Sequence, residues 1–353
     1  MKKWTIATIV VLLAIGAGTA YWLMQQEPEQ EAEQEPGNGQ EEPAEKGEEP
    51  GTQAFAPFTG LAEGGPFTSR PVLAVINNHP DARPQTGLNE ADIVFEFIAE
   101  YNVTRFAALY QSTFPEEMGP IRSARDYFVE LAAAYDAFFV AHGYSPDAYA
   151  MLESGMVDHI NGIKYDGTLF QRSTDRFAPH NSYITYENIK IGMTMTDASP
   201  NYSVKAPYAF FKGAGNGKIS EQSSTLEVRY GQNPNFVSSF TYDETAQRYK
   251  RSSGGLPTVD KKTLQQAEVA NVLVFETDHE TIDAEGRQSI DLESGGQGLL
   301  FQSGGVREIE WMSQGGMLIP TADGETIELV PGKTWIHIVP TNPGMGQSVS
   351  YTP

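Results

Sequence analysis

Short apolar runs that end in turn-forming residues recur along this chain, and they limit the folds it can adopt. The first run is followed by Pro80, which cannot donate the hydrogen bond that would continue a central strand. In the first half such runs alternate with segments whose apolar residues have helical spacing. We predict strands at 72–76, 92–98, 103–110 and 137–141, and helices at 124–135 and 146–158. This order predicts an α/β layered domain.

The second half has little helical periodicity. Turn signals that contain glycine, such as 303–305 and 331–332, separate its apolar runs. One helical turn is predicted at 264–269. We predict short strands at 226–230, 236–242, 247–250, 271–276, 298–301, 306–311, 326–330 and 334–339. The whole chain is therefore expected to be α+β or α/β, with a mainly β C-terminal part.

The length of 353 residues exceeds that of a usual single core, so two domains are expected. We place an N-terminal α/β domain at 55–205 and a C-terminal β-rich domain at 206–345. An acidic, disordered spacer is predicted at 25–54, because this segment has ten glutamates and too few apolar residues to form a core.

Residues 4–24 form an apolar stretch of about 20 residues, which is the length needed to cross a bilayer. Lys2 and Lys3 precede it and acids follow it, so a single-pass anchor would leave the body on the extracytoplasmic side of the cell membrane. A cleaved signal peptide is the alternative, because small residues at 17–20 offer a cleavage site.

Composition excludes several classes of site. The chain has no cysteine, which excludes disulfides, thiolate catalysis and a lipid attached to cysteine. Its formal net charge is −22, which argues against nucleic-acid binding, because that function needs a basic surface. No nucleotide-binding glycine loop or zinc motif is present, so we expect no cofactor and no metal.

Arginines and histidines are concentrated at the predicted turns of this acidic chain, which indicates a site for an anion. Arg122 and Arg125 flank the predicted start of a helix, where Ser123 and Asp126 resemble a capping box. Backbone N–H groups at such a terminus bind anions. In the alternative, Arg125 pairs with an acid and Arg122 only braces the loop. The candidate ligand-binding residues are Asn78, His79, Arg83, Gln85, Arg105, Arg122, Ser123, Arg125, His142, Ser145, Arg172, His180 and Asn181.

His142 and His180 are the candidates for acid–base catalysis. His142 follows an apolar strand, and the carboxyl ends of strands in α/β sheets commonly face a ligand crevice. Ser145 is a poor nucleophile candidate, because the second glycine of a nucleophile elbow is lacking and Pro146 disrupts the motif.

Six blocks in this order resemble the YerB-like family of Gram-positive envelope proteins, which are built from an N-terminal and a C-terminal domain of unknown function. The blocks are at 75–80, 82–85, 91–96, 104–106, 119–125 and 178–181, with looser similarity at 251–260 and 331–336. The resemblance implies a lipoprotein-like envelope protein and no established activity. Without a cysteine, this chain is expected to use residues 4–24 as its anchor.

Three functional hypotheses follow. In the first, an extracytoplasmic protein binds an anionic envelope ligand or a partner in cell-wall assembly. In the second, an enzyme acts on a phosphorylated envelope glycan, with arginines that stabilise charge and His142 or His180 as acid or base. In the third, the arginines pair internally with Asp92, Glu96 or Asp126 and have a structural role.

Overall fold

The computed structural model describes residues 54–62, 65–202, 208–212 and 219–353. The predicted span at 4–24 and all but the last residue of the predicted spacer at 25–54 lie outside these residues. Among the helices that the structure describes, none is long and apolar enough to cross a bilayer.

The first half contains strands and helices in alternation, as predicted. The predicted strands and the two predicted helices are all present, although the second helix ends five residues early, at Glu153. The elements are β1 (Val72–Asn77), β2 (Ile93–Glu100), β3 (Val103–Tyr110), β4 (Glu117–Met118), α1 (Asp126–Ala134), β5 (Phe138–Ala141), α2 (Pro146–Glu153), β6 (His159–Asn161), α3 (Gly162–Tyr165), β7 (Phe170–Arg172), β8 (Ser182–Thr185) and α4 (Tyr186–Met195).

The second half is mainly β, as predicted. Its elements are β9 (Ala209–Phe210), β10 (Glu221–Gln222), β11 (Thr225–Val228), β12 (Ser238–Asp243), β13 (Arg248–Ser253), β14 (Leu256–Pro257), β15 (Glu268–Val269), β16 (Asn271–Thr277), β17 (His279–Thr281), β18 (Gln288–Ile290), β19 (Gly296–Gln302), β20 (Gly305–Gln314), β21 (Met317–Ala322), β22 (Glu325–Thr326), β23 (Glu328–Leu329), β24 (Thr334–Pro340), α5 (Met345–Ser348) and β25 (Val349–Thr352). The helical turn predicted at 264–269 is wrong: Leu264 has a φ of 58°, and β15 follows it.

Strands from both halves form one mixed sheet of 12 strands. The order is β22-β21-β20-β19-β16-β24-β2-β3-β1-β5-β6, and β10 pairs with β20. The two halves meet at β24, which is parallel to both β16 and β2. A second sheet has the order β14-β13-β12-β11-β25, and β15 pairs with β13.

The central strands of the large sheet are buried on both faces. Leu73 and Val75 of β1 belong to one apolar cluster, and Val72, Ala74 and Ile76 belong to the other. Helix α1 packs on the first face and the second sheet packs on the opposite face. This double burial explains why these strands are continuous apolar runs rather than alternating ones.

Strands β1, β5 and β6 are parallel neighbours, so their carboxyl ends lie at one edge of the sheet. The segment 121–124 crosses this edge between β1 and the end of β5. The Arg122 N–H donates to the Val75 carbonyl at 2.8 Å, and the Ala124 N–H donates to the Gly143 carbonyl at 2.9 Å. Ligand crevices in α/β sheets commonly lie at such an edge.

Candidate functional site

The polar residues at this edge form what we call the arginine–histidine crevice, which consists of Arg122, His142, Arg172 and His180. Arg122 comes from the crossing segment, His142 follows β5, Arg172 ends β7, and His180 lies just before β8. All four are among the ligand-binding residues predicted from the sequence. The fold brings them to one end of the parallel strands.

Arg122 has a half-buried side chain. Among the described residues, the Arg122 guanidinium makes no hydrogen bond and has no acid within 4 Å. Burial lowers the pKa of Arg122; nearby Glu100 acts in the opposite sense, and Arg125 and Arg172 lower it further. Arg122 is therefore a half-buried cation that has Glu100 and two other arginines nearby but no acid in direct contact among the described residues.

Both ring nitrogens of His142 are hydrogen-bonded. Nδ1 lies 2.7 Å from the Ser182 hydroxyl, and Nε2 lies 2.8 Å from an Arg172 nitrogen. Arginine can only donate, so Nε2 accepts and Nδ1 carries the proton. Burial, followed by Arg172, lowers the pKa of His142 to about 4. His142 is thus neutral at pH 7 and has no unengaged nitrogen with which to exchange a proton with a ligand.

Gly162 makes room for the His142 ring. A Cβ at this position would lie 2.1 Å from His142 Nδ1, far inside van der Waals contact. The neighbouring Asn161 fixes the strand end, because its side chain accepts from the Gly143 N–H at 2.9 Å and donates to the Gly143 carbonyl at 3.1 Å.

His180 is oriented by Asn77. The His79 N–H donates to Asn77 Oδ1 at 2.9 Å, which leaves the Asn77 amide nitrogen to donate to His180 Nδ1, also at 2.9 Å. In neutral His180 the proton therefore resides on Nε2, where it is a donor. Burial, followed by His79 and Arg122, lowers the pKa of His180.

His79, Asp81 and His180 could each offer a ligand atom to a metal, since these atoms lie within 4.8 Å of one another. The two rings are stacked, however, with centroids 4.6 Å apart and planes at 23°. Nitrogen lone pairs lie in the ring planes, so those of nearly parallel rings do not converge on one ion. The expectation that no metal binds here stays a prediction.

Arg105 and Arg125 do not face the crevice as free cations. Both are buried, and both pair with the same oxygen of Glu100. The structure therefore has the alternative predicted for Arg125, in which the arginine pairs with an acid. That acid is Glu100 rather than Asp92, Glu96 or Asp126.

Ser123, Ser145 and Asn181 have structural roles. The capping box predicted at Ser123 is wrong: α1 begins at Asp126 with Arg125 at its N-cap, and Ser123 Oγ donates to the His142 carbonyl at 3.2 Å. Ser145 is 4% exposed and caps α2 by accepting from the Ala148 N–H. Asn181 donates to the carbonyls of Ser173 and Arg176 and thereby closes the loop before β8.

Asn78, Arg83 and Gln85 lie beyond the end of β1, beside a buried polar cluster centred on Glu96. Arg83 donates to the Asn78 carbonyl at 2.8 Å and Gln85 donates to the Asn77 carbonyl at 3.1 Å. Together with the segment 251–259 they line a cavity of about 350 Å³.

Glu96 is fully buried and accepts five side-chain hydrogen bonds, from Asn78, Thr104, Ser238, Arg251 and Trp335. Burial alone would raise the pKa of Glu96, but Arg251, followed by His337 and the hydroxyls of Thr104 and Ser238, holds it below its ordinary value. The Arg251 guanidinium also lies 4.3 Å from the centroid of the Trp335 ring. Because its hydrogen-bonding capacity is saturated, Glu96 is a structural carboxylate rather than an acid–base catalyst.

Asn77, Asn161, Ser182 and Arg251 were not predicted from the sequence as site residues. Asn77 and Asn161 end strands at the same edge of the sheet as His142. Their position at the ends of strands could have identified them as site residues. Arg251 and His337 lie on strands of the second half, far in sequence from their partner Glu96, and nothing local to either marks the contact.

Comparisons with known proteins cover most of the chain. A family model described as "Protein of unknown function (DUF3048) N-terminal domain" matches residues 58–199, and one for the DUF3048 C-terminal domain matches 226–336. The protein of Bacillus subtilis (strain 168) named "Putative lipoprotein YerB" is 46% identical over 291 residues, which are 81% of this chain and 86% of the relative. The crystal structure of YerB protein from Bacillus subtilis has a TM-score of 0.78 and 42% identity, and the match covers 85% of this chain and 100% of that one. This chain therefore belongs to the two-domain YerB-like family of proteins of unknown function.

Proposed function

We propose that this protein works at the cell envelope, outside the cytoplasm, where it binds an anionic ligand in the arginine–histidine crevice. The observation that carries the proposal is Arg122, a half-buried cation with no counter-charge within ion-pair distance among the described residues. Partial burial of an unpaired charge costs free energy, which a bound anion would offset.

Other groups of the crevice support the same ligand class. His180 presents an Nε2–H donor, and burial, followed by His79 and Arg122, lowers its pKa, while Asp81 acts in the opposite sense. Arg172 adds a second positive charge, although Asp166 partly neutralises it at 2.9 Å. In a chain whose net charge is −22, a local positive site favours anions over the surrounding surface.

The envelope location rests on the relative, whose printed name includes the word lipoprotein. This chain has no cysteine that could carry a lipid, so we propose that residues 4–24 attach it to the membrane. The anion is carried by an envelope ligand or by a cell-wall assembly protein that presents a phosphate or a carboxylate.

The proposal is tested by replacing Arg122 and measuring stabilisation by inorganic phosphate. If the crevice binds anions, phosphate raises the melting temperature of the wild-type protein and not that of Arg122→Gln. Equal stabilisation of the two proteins would contradict the proposal.

A further inference from the structure

The cavity near Glu96 is separate from the arginine–histidine crevice. Its walls come from the segment 78–85 of the first half and the segment 235–259 of the second half, and its volume is about 350 Å³. This volume is within the range of pockets that bind small organic molecules. None of the four residues that define the crevice lines it.

Arg251 and Ser253 line the cavity but do not offer free donors to it. Arg251 Nε and Ser253 Oγ have no hydrogen-bond partner among the described residues, yet each atom has almost no solvent-accessible surface. The other Arg251 guanidinium nitrogens donate to Glu96, Ser238 and Thr258. A donor for a ligand must therefore come from another residue of the cavity wall.

Arg83 adds a charge that the protein does not neutralise locally. Its Nε and Nη2 donate to the Asn78 carbonyl, and no carboxylate lies within ion-pair distance of it among the described residues. Burial, followed by the charge of Arg251, lowers the pKa of Arg83 to about 10. Arg83 and Arg251 share Glu96 as a nearby acid, which leaves one net positive charge beside the cavity.

The remaining wall is apolar. Pro80, Pro84, Leu256 and Pro257 contribute ring and aliphatic carbons, and Leu256 is 72% exposed. Apolar surface of this kind contributes binding free energy in proportion to the area that a ligand covers. A ligand that satisfies the polar groups and this wall is therefore amphipathic.

We infer that this cavity binds a small organic monoanion, with its carboxylate against Arg83 and its apolar body against the proline–leucine wall. A single negative charge matches the single net positive charge beside the cavity. The inference does not depend on the crevice, and the two sites can be tested separately.

The test is isothermal titration of the full-length protein with 3-phenylpropanoate and with its neutral isostere 3-phenylpropanamide. We expect the carboxylate to bind at least tenfold more tightly than the amide. Arg83→Gln should weaken carboxylate binding by tenfold or more, because it removes a charge-assisted hydrogen bond. Leu256→Glu should weaken carboxylate binding as strongly, because the new negative charge repels the ligand. Leu256 is exposed, so this substitution leaves the fold unchanged.

Arg122→Gln and Arg307→Gln are the controls. Arg122 belongs to the crevice, and Arg307 is a half-buried arginine of β20 that does not line the cavity. Both variants should bind 3-phenylpropanoate as the wild type does. Any one of three results would overturn the inference. The first is equal affinity for the carboxylate and the amide, and the second is no measurable binding of either compound. The third is that both Arg83→Gln and Leu256→Glu bind the carboxylate as the wild type does.

Discussion

Glu96 and Arg251 form a buried ion pair, with 3.0 Å between Oε2 and Nη2, across 155 positions of sequence. Glu96 lies on β2 of the large sheet and Arg251 lies on β13 of the second sheet. Each is at most 1% exposed, so neither charge is solvated if the other is removed. This pair joins the two halves of the chain.

Arg251→Met should therefore lower the free energy of unfolding by about 3–5 kcal/mol, because it leaves the Glu96 carboxylate buried without its counter-charge. Urea denaturation measures this. Arg229→Met is the matched control, since Arg229 pairs with Glu227 on the surface at 2.5 Å and such pairs contribute about 0–1 kcal/mol. Equal losses for the two variants would contradict the structural role of the buried pair.

His337 should make stability depend on pH. It is fully buried, and burial lowers its pKa to about 4, whereas a histidine in the unfolded chain titrates near 6.5. Between these values the unfolded state binds more protons, so the unfolding free energy falls as pH falls from about 6.5 to about 4. The contribution is on the order of 3 kcal/mol.

Comparison of the wild type with His337→Gln isolates this contribution from that of other groups. Asp92, for example, acts in the opposite sense, because burial raises its pKa to about 6. The difference in unfolding free energy between wild type and variant should shrink as pH falls through this window. A difference that is constant between pH 7 and pH 4.5 would show that His337 does not titrate as described.

Gly162→Ala should displace the His142 ring, because the new Cβ would overlap it. We expect a loss of about 1–3 kcal/mol in stability, as for other overpacked sites. The Nδ1 and Nε2 chemical shifts of His142 should also change as its hydrogen bond to Ser182 is lost. Gly346→Ala is the control, since nothing among the described residues lies within 4 Å of the place that its new Cβ would take, and stability should not fall. Unaltered His142 shifts in Gly162→Ala would contradict the described packing.

The sequence predicted the strands of the central sheet well, because runs such as 72–76 and 334–339 are apolar on both faces and bounded by turn residues. It could not predict that β24 pairs with β2, since strand pairing between distant segments has no local signal. The β21 strand at Met317–Ala322 was missed because Pro320 within it argues against a strand.

The candidate site was predictable only in part. Residues at strand ends, such as His142, could be placed at one edge because parallel strands end together. The pairing of Arg105 and Arg125 with Glu100 was not predictable, because a chain rich in acids offers each arginine many possible partners. Only the folded structure distinguishes Arg122, which has no such partner among the described residues, from these two.

The most direct test of the anion-binding account is thermal unfolding of the full-length protein in phosphate and in chloride at matched ionic strength, for the wild type, Arg122→Gln and Arg307→Gln. Phosphate should raise the melting temperature of the wild type and of Arg307→Gln but not of Arg122→Gln. The substitution should weaken phosphate binding by about 1.5–3 kcal/mol and cost little stability without the anion. If phosphate stabilises none of the three proteins, or if Arg122→Gln alone loses about 3–5 kcal/mol in chloride, then Arg122 is part of the scaffold and the account is wrong.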